Sequence, residues 1–347
     1  MTESDIDMSV PDGHLLVSVI IPSYNAADFL PFSVESVFAQ TYRNIEVVVV
    51  DDGSTDHSIS VLEQLAAKYG ERFKWIVQEN GRQGKARNNG IRNASGELIA
   101  FLDADDEWEP DKLAIQVKQL AEHQADLVFC DGWLIKTAEK EPLRTLMKAG
   151  AEKVVMGAFH GELAGKSGLR LLHRKNRIPT SAVLCTRKSI EKSGYFIEDL
   201  KFQNCEDYHL WVKMEERGFV LKGFENQLLL YRMHPGSSTS SALKSLKPLL
   251  NTLFIMANPL TEDLKVQVAG HMQSYISALT KEAKLENGHE LFALYNRHVE
   301  EFVWRGLLNF TFRVSPGKLY HSLLWRHTAR WVARDVDDDL RKQLRPD

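Results

Sequence analysis

Cysteine is scarce in this chain. Only Cys130, Cys185 and Cys205 occur among 347 residues, and no two have the Cys-x-x-Cys spacing of a zinc site or dithiol redox pair. A core of this size needs no disulfide staples, and three scattered thiols fit a reducing compartment. Long apolar runs are lacking too: none reaches the roughly 18–20 residues of a spanning helix, which excludes an integral membrane span. The segment Met1 to His14 is polar and acid-rich, the opposite of a secretory leader, so the expected location is cytoplasmic. There is no Gly-x-Ser-x-Gly elbow and no Cys/His nucleophile pair, so a covalent enzyme intermediate is not expected. Internal repeats and low-complexity tracts are absent as well.

Charge is plentiful but unevenly placed. The formal net charge is -4, too acidic for a general nucleic-acid binder. Residues 1–130 carry 10 Lys+Arg against 22 Asp+Glu, and residues 131–347 carry 33 against 25. An acidic half that binds an anion needs a cation between them, whereas a basic half can face anionic partners directly.

The first 130 residues alternate apolar runs with helical spacing. Leu15 to Ile21, Ile45 to Val50, Lys74 to Val77, Leu98 to Leu102 and Leu127 to Cys130 read as strands. Asp28 to Ala39, the segment after Ser54-Thr55-Asp56, Lys85 to Ala94 and Asp111 to Glu122 read as helices. Continuous apolar strands separated by helices predict an α/β fold with a mainly parallel, Rossmann-like sheet covered by helices. Such sheets bind ligands beyond the carboxyl ends of their strands, where Asp51-Asp52 and Asp103-Ala104-Asp105-Asp106 fall. The two acidic clusters are therefore expected to share one cleft. From about Asp131 to Thr180 periodicity is weak. Ile190 to Gly194 and Asp207 to Glu216 look helical, and the chain reads as helical after Pro259.

Two carboxylates one residue apart at a strand end, Asp103 and Asp105, can approach one hard cation and leave positions for phosphate oxygens and water. A plain loop with helix-capping acids would look the same. An EF-hand is disfavoured, because its sixth loop position needs Gly and here holds Trp108. Asp52, in Asp51-Asp52-Gly53, can accept a nucleobase N–H, or simply close a strand-turn-helix. Arg87, after Gly81 and Gly84, is read as lying in the first turn of a helix, where its guanidinium and free backbone N–H groups can face a diphosphate.

Taken in order, Ile21-Pro22-Ser23-Tyr24-Asn25, Val50 to Asp56, Gly84 to Gly90 and Phe101 to Asp106 closely resemble the family 2 glycosyltransferases with the GT-A fold, over roughly residues 16–240. The resemblance implies a nucleotide-sugar donor held by Pro22, Tyr24, Asn25 and Asp52 at its base side and by Arg87 at its pyrophosphate. It implies that Asp103 and Asp105 face the donor ribose and a divalent cation, Mg2+ or Mn2+. Asn204-Cys205-Glu206-Asp207 resembles the family's ED signature, with Asp207 as general base and Glu206 as the neighbour that orients the site. Asp207 is expected to open a helix whose positive end helps keep it ionised. Ile178 to Val183 resembles the segment that shapes the acceptor side, and Tyr231-Arg232-Met233-His234 one that closes over the donor phosphates. His234 reads as a third metal ligand, a phosphate donor or a loop hydrogen-bonder.

The implied activity is inverting transfer of a sugar, UDP-linked first of all, to a glycan or lipid-linked glycan hydroxyl. A sugar nucleotidyltransferase would carry a Gly-rich, Arg-containing loop after the first strand, where Ser23-Tyr24-Asn25-Ala26 stands. A non-catalytic sugar-nucleotide scaffold would be expected to lack one of the acids, and all are present. Phe302 to Arg334 holds six Arg and Lys, no acid, and Trp304, Trp325 and Trp331. That composition suits an interfacial helix on an anionic membrane surface, or a helix packing its tryptophans on the catalytic domain. The expected organisation is a flexible tail at 1–14, a nucleotide-sugar-binding half at 15–130, an acceptor-binding and catalytic half at 131–240, and a helical region at 241–347.

Overall fold

The computed structural model describes residues 15–174 and 176–237. The expectations for 1–14, for the helical region after 240 and for the basic stretch 302–334 lie outside the described residues.

Elements follow in the order β1 (Val17–Ser23), α1 (Leu30–Phe38), β2 (Ile45–Asp51), α2 (Ser58–Tyr69), β3 (Phe73–Val77), α3 (Arg82–Asn93), β4 (Leu98–Phe101), β5 (Glu107–Trp108), α4 (Lys112–Glu122) and β6 (Leu127–Lys136). The rest are α5 (Leu143–Lys148), β7 (Lys153–Val155), β8 (Gly161–Leu163), α6 (Gly165–Arg174), β9 (Val183–Thr186), α7 (Arg187–Ser193), α8 (Glu206–Glu216) and β10 (Leu221–Met233). They build one sheet in the order β3-β2-β1-β4-β9-β6-β10-β5, with β7 added to β6 and β8 to β10. β1, β2, β3 and β4 pair in parallel, as do β6 and β10. β9 enters antiparallel between β4 and β6, and so joins the two parallel blocks into one mainly parallel sheet.

β1 and β2 are buried along their whole length, the property that makes a continuous Val/Ile run fold as a central strand covered on both faces. Helix α3 seats against them through Gly90, where an added Cβ would lie 2.5 Å from Ile20 Cγ2. An aromatic cluster is built from Phe101 at the end of β4 with Phe196 and Trp211, with ring centroids 5.2 to 6.3 Å apart. β6 runs on to Lys136, past the Cys130 end expected from its apolar run. Asp131 interrupts that run yet is fully buried, because its Oδ1 accepts the N–H groups of Gly132, Gly157 and Ala158 at 2.8, 3.1 and 3.2 Å. Among the described residues, no helix is long and apolar enough to cross a membrane.

Candidate active site

The carboxyl ends of β1 and β2 carry Pro22, Tyr24, Asn25 and Asp52. Pro22 is buried within β1, and Tyr24 beyond it is 48% exposed. Asn25 takes a left-handed φ of 50°, tolerable for Asn, and its Oδ1 accepts the Thr55 N–H at 2.7 Å while its own N–H donates to Ser54 Oγ at 2.8 Å. These bonds tie the two loops together. Asp52 is buried. Its Oδ1 accepts from Gln78 Nε2 and the Gly81 N–H, and its Oδ2 from the Arg82 N–H, each at 2.8 Å. A carboxylate from β2 thus caps α3 from across the sheet, satisfying amides that no local side chain reaches.

This cap changes the expected place of Arg87. Helix α3 begins at Arg82, before the Lys85 start read from sequence, so Arg87 sits in the helix body and not in its first turn. It is 3% exposed and donates from Nη1 to Glu206 Oε1 and from Nη2 to Asp103 Oδ1, both at 2.7 Å. Its face lies 5.5 Å from the Phe196 ring centroid. Gly84 permits the approach: an added Cβ there would stand 2.7 Å from the Ile197 carbonyl and 3.3 Å from Glu206 Cγ. Both neighbouring carboxylates raise the guanidinium pKa against the opposing effect of burial.

Glu206 and Asp207 open α8. Glu206 is buried, and its Oε2 has no hydrogen-bond partner among the described residues. Asp207 is partly open to solvent; its Oδ2 accepts the Thr180 hydroxyl at 2.7 Å and the Asn176 amide at 3.5 Å. Burial pushes the Asp207 carboxyl up, and the Thr180 hydroxyl and Arg87 pull it partly back. The helix start was expected to favour the ionised form, but desolvation outweighs it. Burial also raises Glu206, with Arg87 opposing and Asp207 adding to the rise. Arg87, Asp103, Glu206 and Asp207 line a cavity of about 320 Å3 together with Asn176 to Ser181, Met156, Gly157 and Ala158.

The turn after β4 is held from three sides. Ser33 Oγ donates to the carbonyls of Ala104 and Asp106 at 2.7 Å each. Ser181 Oγ accepts the Asp103 N–H at 3.0 Å and donates to Asp106 Oδ2 at 2.6 Å. Arg232, fully buried, gives its Nε to the Asp105 carbonyl at 3.1 Å and its N–H to Asp106 Oδ1 at 3.0 Å. Burial, with Asp105 and Asp103 nearby, pushes the Asp106 carboxyl well up. Asp106, Ser181 and Arg232 therefore set the turn on which Asp103 and Asp105 ride.

Asp103 and Asp105 do not converge on one point through protein contacts alone. Asp103 pairs with Arg87, whereas Asp105 Oδ2 lies 3.1 Å from His234 Nε2. Their side chains keep 34% and 29% exposure. Among the described residues, no three His, Cys, Asp or Glu side chains form a ready metal cage. Two part-exposed carboxylates and an imidazole do suit a hard cation whose remaining ligands are phosphate oxygens and water.

Sequence reasoning missed Asp106, Arg232 and Asp131 as supports of the site. The available signal was a charged residue standing inside or directly beside a strand's apolar run, which survives only if its partners are built in.

Comparison with known proteins follows the same lines. Residues 18–200 match the model of glycosyl transferase family 2. An uncharacterized glycosyltransferase of Rickettsia prowazekii is 30% identical over 279 residues, covering 79% of this chain and 81% of that protein. The putative teichuronic acid biosynthesis glycosyltransferase TuaG of Bacillus subtilis is 30% identical over 67% of this chain and 84% of its own. Among solved structures, S. aureus TarS 1–349 in complex with UDP-GlcNAc superposes with a TM-score of 0.59 at 20% identity, covering 96% of this chain and 94% of that one. The mannosyltransferase PcManGT of Pyrobaculum calidifontis, in complex with GDP-Man and Mn2+, gives 0.55 at 19% identity over 93% and 88%. These matches fit the mainly parallel sheet covered by helices: the fold is of the GT-A type, and the chain belongs to glycosyl transferase family 2.

Proposed function

We propose that this protein is an inverting, metal-dependent glycosyltransferase that moves a sugar from a nucleoside diphosphate donor, a UDP-sugar first of all, to a hydroxyl of a glycan or lipid-linked glycan. The observation that carries this reading is Asp207, held by Thr180 at 2.7 Å on a cavity shared with Asp103 and Arg87. In a single displacement the acceptor oxygen attacks the anomeric carbon, the bond to the diphosphate breaks, and Asp207 takes the hydroxyl proton. Glu206 orients the site beside that carboxylate, and Arg87 faces the donor pyrophosphate next to Asp103. Pro22, Tyr24, Asn25 and Asp52 bound the side for the donor base, with Asp52 fixing the turn that frames it. Asp103 and Asp105, with His234 beside Asp105, would hold Mg2+ or Mn2+, which when bound neutralises charge on the departing diphosphate. The UDP-GlcNAc, GDP-Man and Mn2+ complexes of the structural relatives support a sugar-nucleotide donor and a divalent ion. The teichuronic acid relative supports a role in polysaccharide biosynthesis.

A thermal-shift panel of sugar nucleotides with and without Mn2+ or Mg2+ tests the donor and the ion together. One nucleotide should shift the melting point strongly only with metal. Asp207→Asn should retain that shift and lose transfer by about 10²–10⁴-fold; an active Asp207→Asn enzyme refutes the base. The basic, Trp-containing sequence 302–334 supports peripheral attachment to an anionic membrane surface. Vesicle sedimentation that is unchanged on removing it would refute that attachment.

A further inference from the structure

Among the described residues, the cations that line the cavity are Arg87 and Arg177. Arg87 is buried and pairs with Asp103 and Glu206. Arg177 is exposed, and its guanidinium has no hydrogen-bond or ion-pair partner among the described residues. Its backbone is nonetheless fixed, because its carbonyl accepts the Phe159 N–H at 3.3 Å. On either side stand Asn176, whose amide reaches Asp207, and Ile178, which is buried. This guanidinium is therefore placed on the cavity wall that carries the contacts to Asp207.

The sequence leading to Arg177 strengthens the point. From Leu163 to Ile178 it holds Lys166, Arg170, Arg174, Lys175 and Arg177, with His173, and no Asp or Glu. This is a local reversal in a chain of net charge -4. Helix α6 is tied to the helix of Glu206 and Asp207: the Leu172 carbonyl accepts the Tyr208 hydroxyl at 2.6 Å, and Leu172 is buried. A sequence needing only solubility would interleave acids with these bases. A cavity floored by Asp103, Glu206 and Asp207 repels an anion unless cations meet it at the edge.

We propose that Arg177 receives a phosphate ester carried by the acceptor, and so selects acceptors in which a phosphate lies near the reacting hydroxyl. The inference rests on the glycosyltransferase reading above and names the acceptor class that reading leaves open. A guanidinium forms paired, charge-assisted bonds to phosphate that a neutral sugar cannot match.

The test uses the full chain and three probes: a poly(glycerol phosphate) oligomer, a polyprenyl monophosphate in neutral detergent micelles, and a phosphate-free polyglycerol of matching length. Wild type should bind at least one phosphate probe at least tenfold more tightly than polyglycerol. Preference for the oligomer assigns the phosphate to a free glycan chain, and preference for the micellar probe to a lipid; either supports the proposal. Arg177→Gln should weaken that binding about tenfold, and Arg177→Lys should restore part of it. Sugar-nucleotide affinity should stay within twofold of wild type, which also reports that the variants are folded. Equal binding of phosphate and phosphate-free probes by wild type overturns the proposal. So does a loss of sugar-nucleotide affinity in Arg177→Gln, which would move the arginine to the donor side. Failure of the underlying reading has a separate signature, a wild-type chain that binds no sugar nucleotide, and it would remove this proposal as well.

Discussion

Arg87 reaches Glu206 across 119 residues of sequence at 2.7 Å, and both side chains are buried. The same guanidinium holds Asp103, so one residue of α3 links the turn after β4 to the start of α8. Removing one member of a buried pair leaves the other charge without compensation, at a cost of about 3–5 kcal/mol. Arg87→Ala should therefore lower unfolding free energy by about that amount in urea titrations. The double variant Arg87→Met/Glu206→Leu should recover most of the stability without recovering transfer. A stable, active Arg87→Ala enzyme would contradict the linking role.

The hydroxyl of Thr180 stabilises the ionised form of Asp207, while burial disfavours it. Asp103, Glu206 and Arg87 line the same cavity, so all of them influence this titration. A general base works only when ionised, so activity should fall on the acid side through a pKa above the usual carboxylate range. Thr180→Val deletes a bond to the charged form and must move that limb to higher pH. Above the limb the variant should approach the wild-type kcat. A pH profile of kcat/KM checks this, and an acid limb that stays in place or moves to lower pH would show that Thr180 does not act through Asp207.

Much of the donor half is legible in sequence because β1, β2 and β4 are mostly apolar, interrupted only by Ser18 and Glu46, and ended by Pro22, Asp51 or Asp103. Arg87 is misplaced by a few positions for a definite reason. Gly81 and Gly84 look like breakers, and the amides that start α3 are satisfied by Asp52, a carboxylate 29 and 30 residues away. No local pattern reports a cap of that kind. Residues 131–180 are hard to read because β7 and β8 are three-residue strands, and all three residues of β7 are exposed. The loop between them, which lines the cavity with Met156, Gly157 and Ala158, is held by Asp131, buried among backbone amides. Asp207 is legible as a residue, but its raised carboxyl pKa depends on packing around α8 that the sequence does not display.

Asp105 and His234 touch at 3.1 Å, which separates a metal role from a purely structural one. If the pair faces the cation, Mn2+ should tighten sugar-nucleotide binding in the wild type, and Asp105→Ala should abolish that increment by about tenfold or more. Affinity without metal should change little. His234→Ala should reduce the same increment by less. Calorimetric titrations with and without Mn2+ measure both quantities, and an undiminished metal increment in Asp105→Ala would place the ion elsewhere.

Lys112 offers a test of packing away from the chemistry. Its side chain is fully buried, with Nζ 2.6 Å from Gln116 Oε1 and 3.9 Å from the Trp108 ring centroid. Burial lowers its pKa from 10.5 to about 8, with Cys130 opposing weakly. Between those two values the unfolded chain binds more protons than the folded one, so stability rises with pH across the window. Below pH 8 the whole cost of burying the ammonium is present, on the order of 3 kcal/mol. Lys112→Met fills the same space without charge but leaves Gln116 Oε1 without this donor, returning about 1 kcal/mol. The variant should melt roughly 5 °C above wild type at pH 7, and the difference should shrink toward pH 10.5. Melting curves at both pH values decide it: a gain that grows with pH would mean the lysine is not buried as a cation.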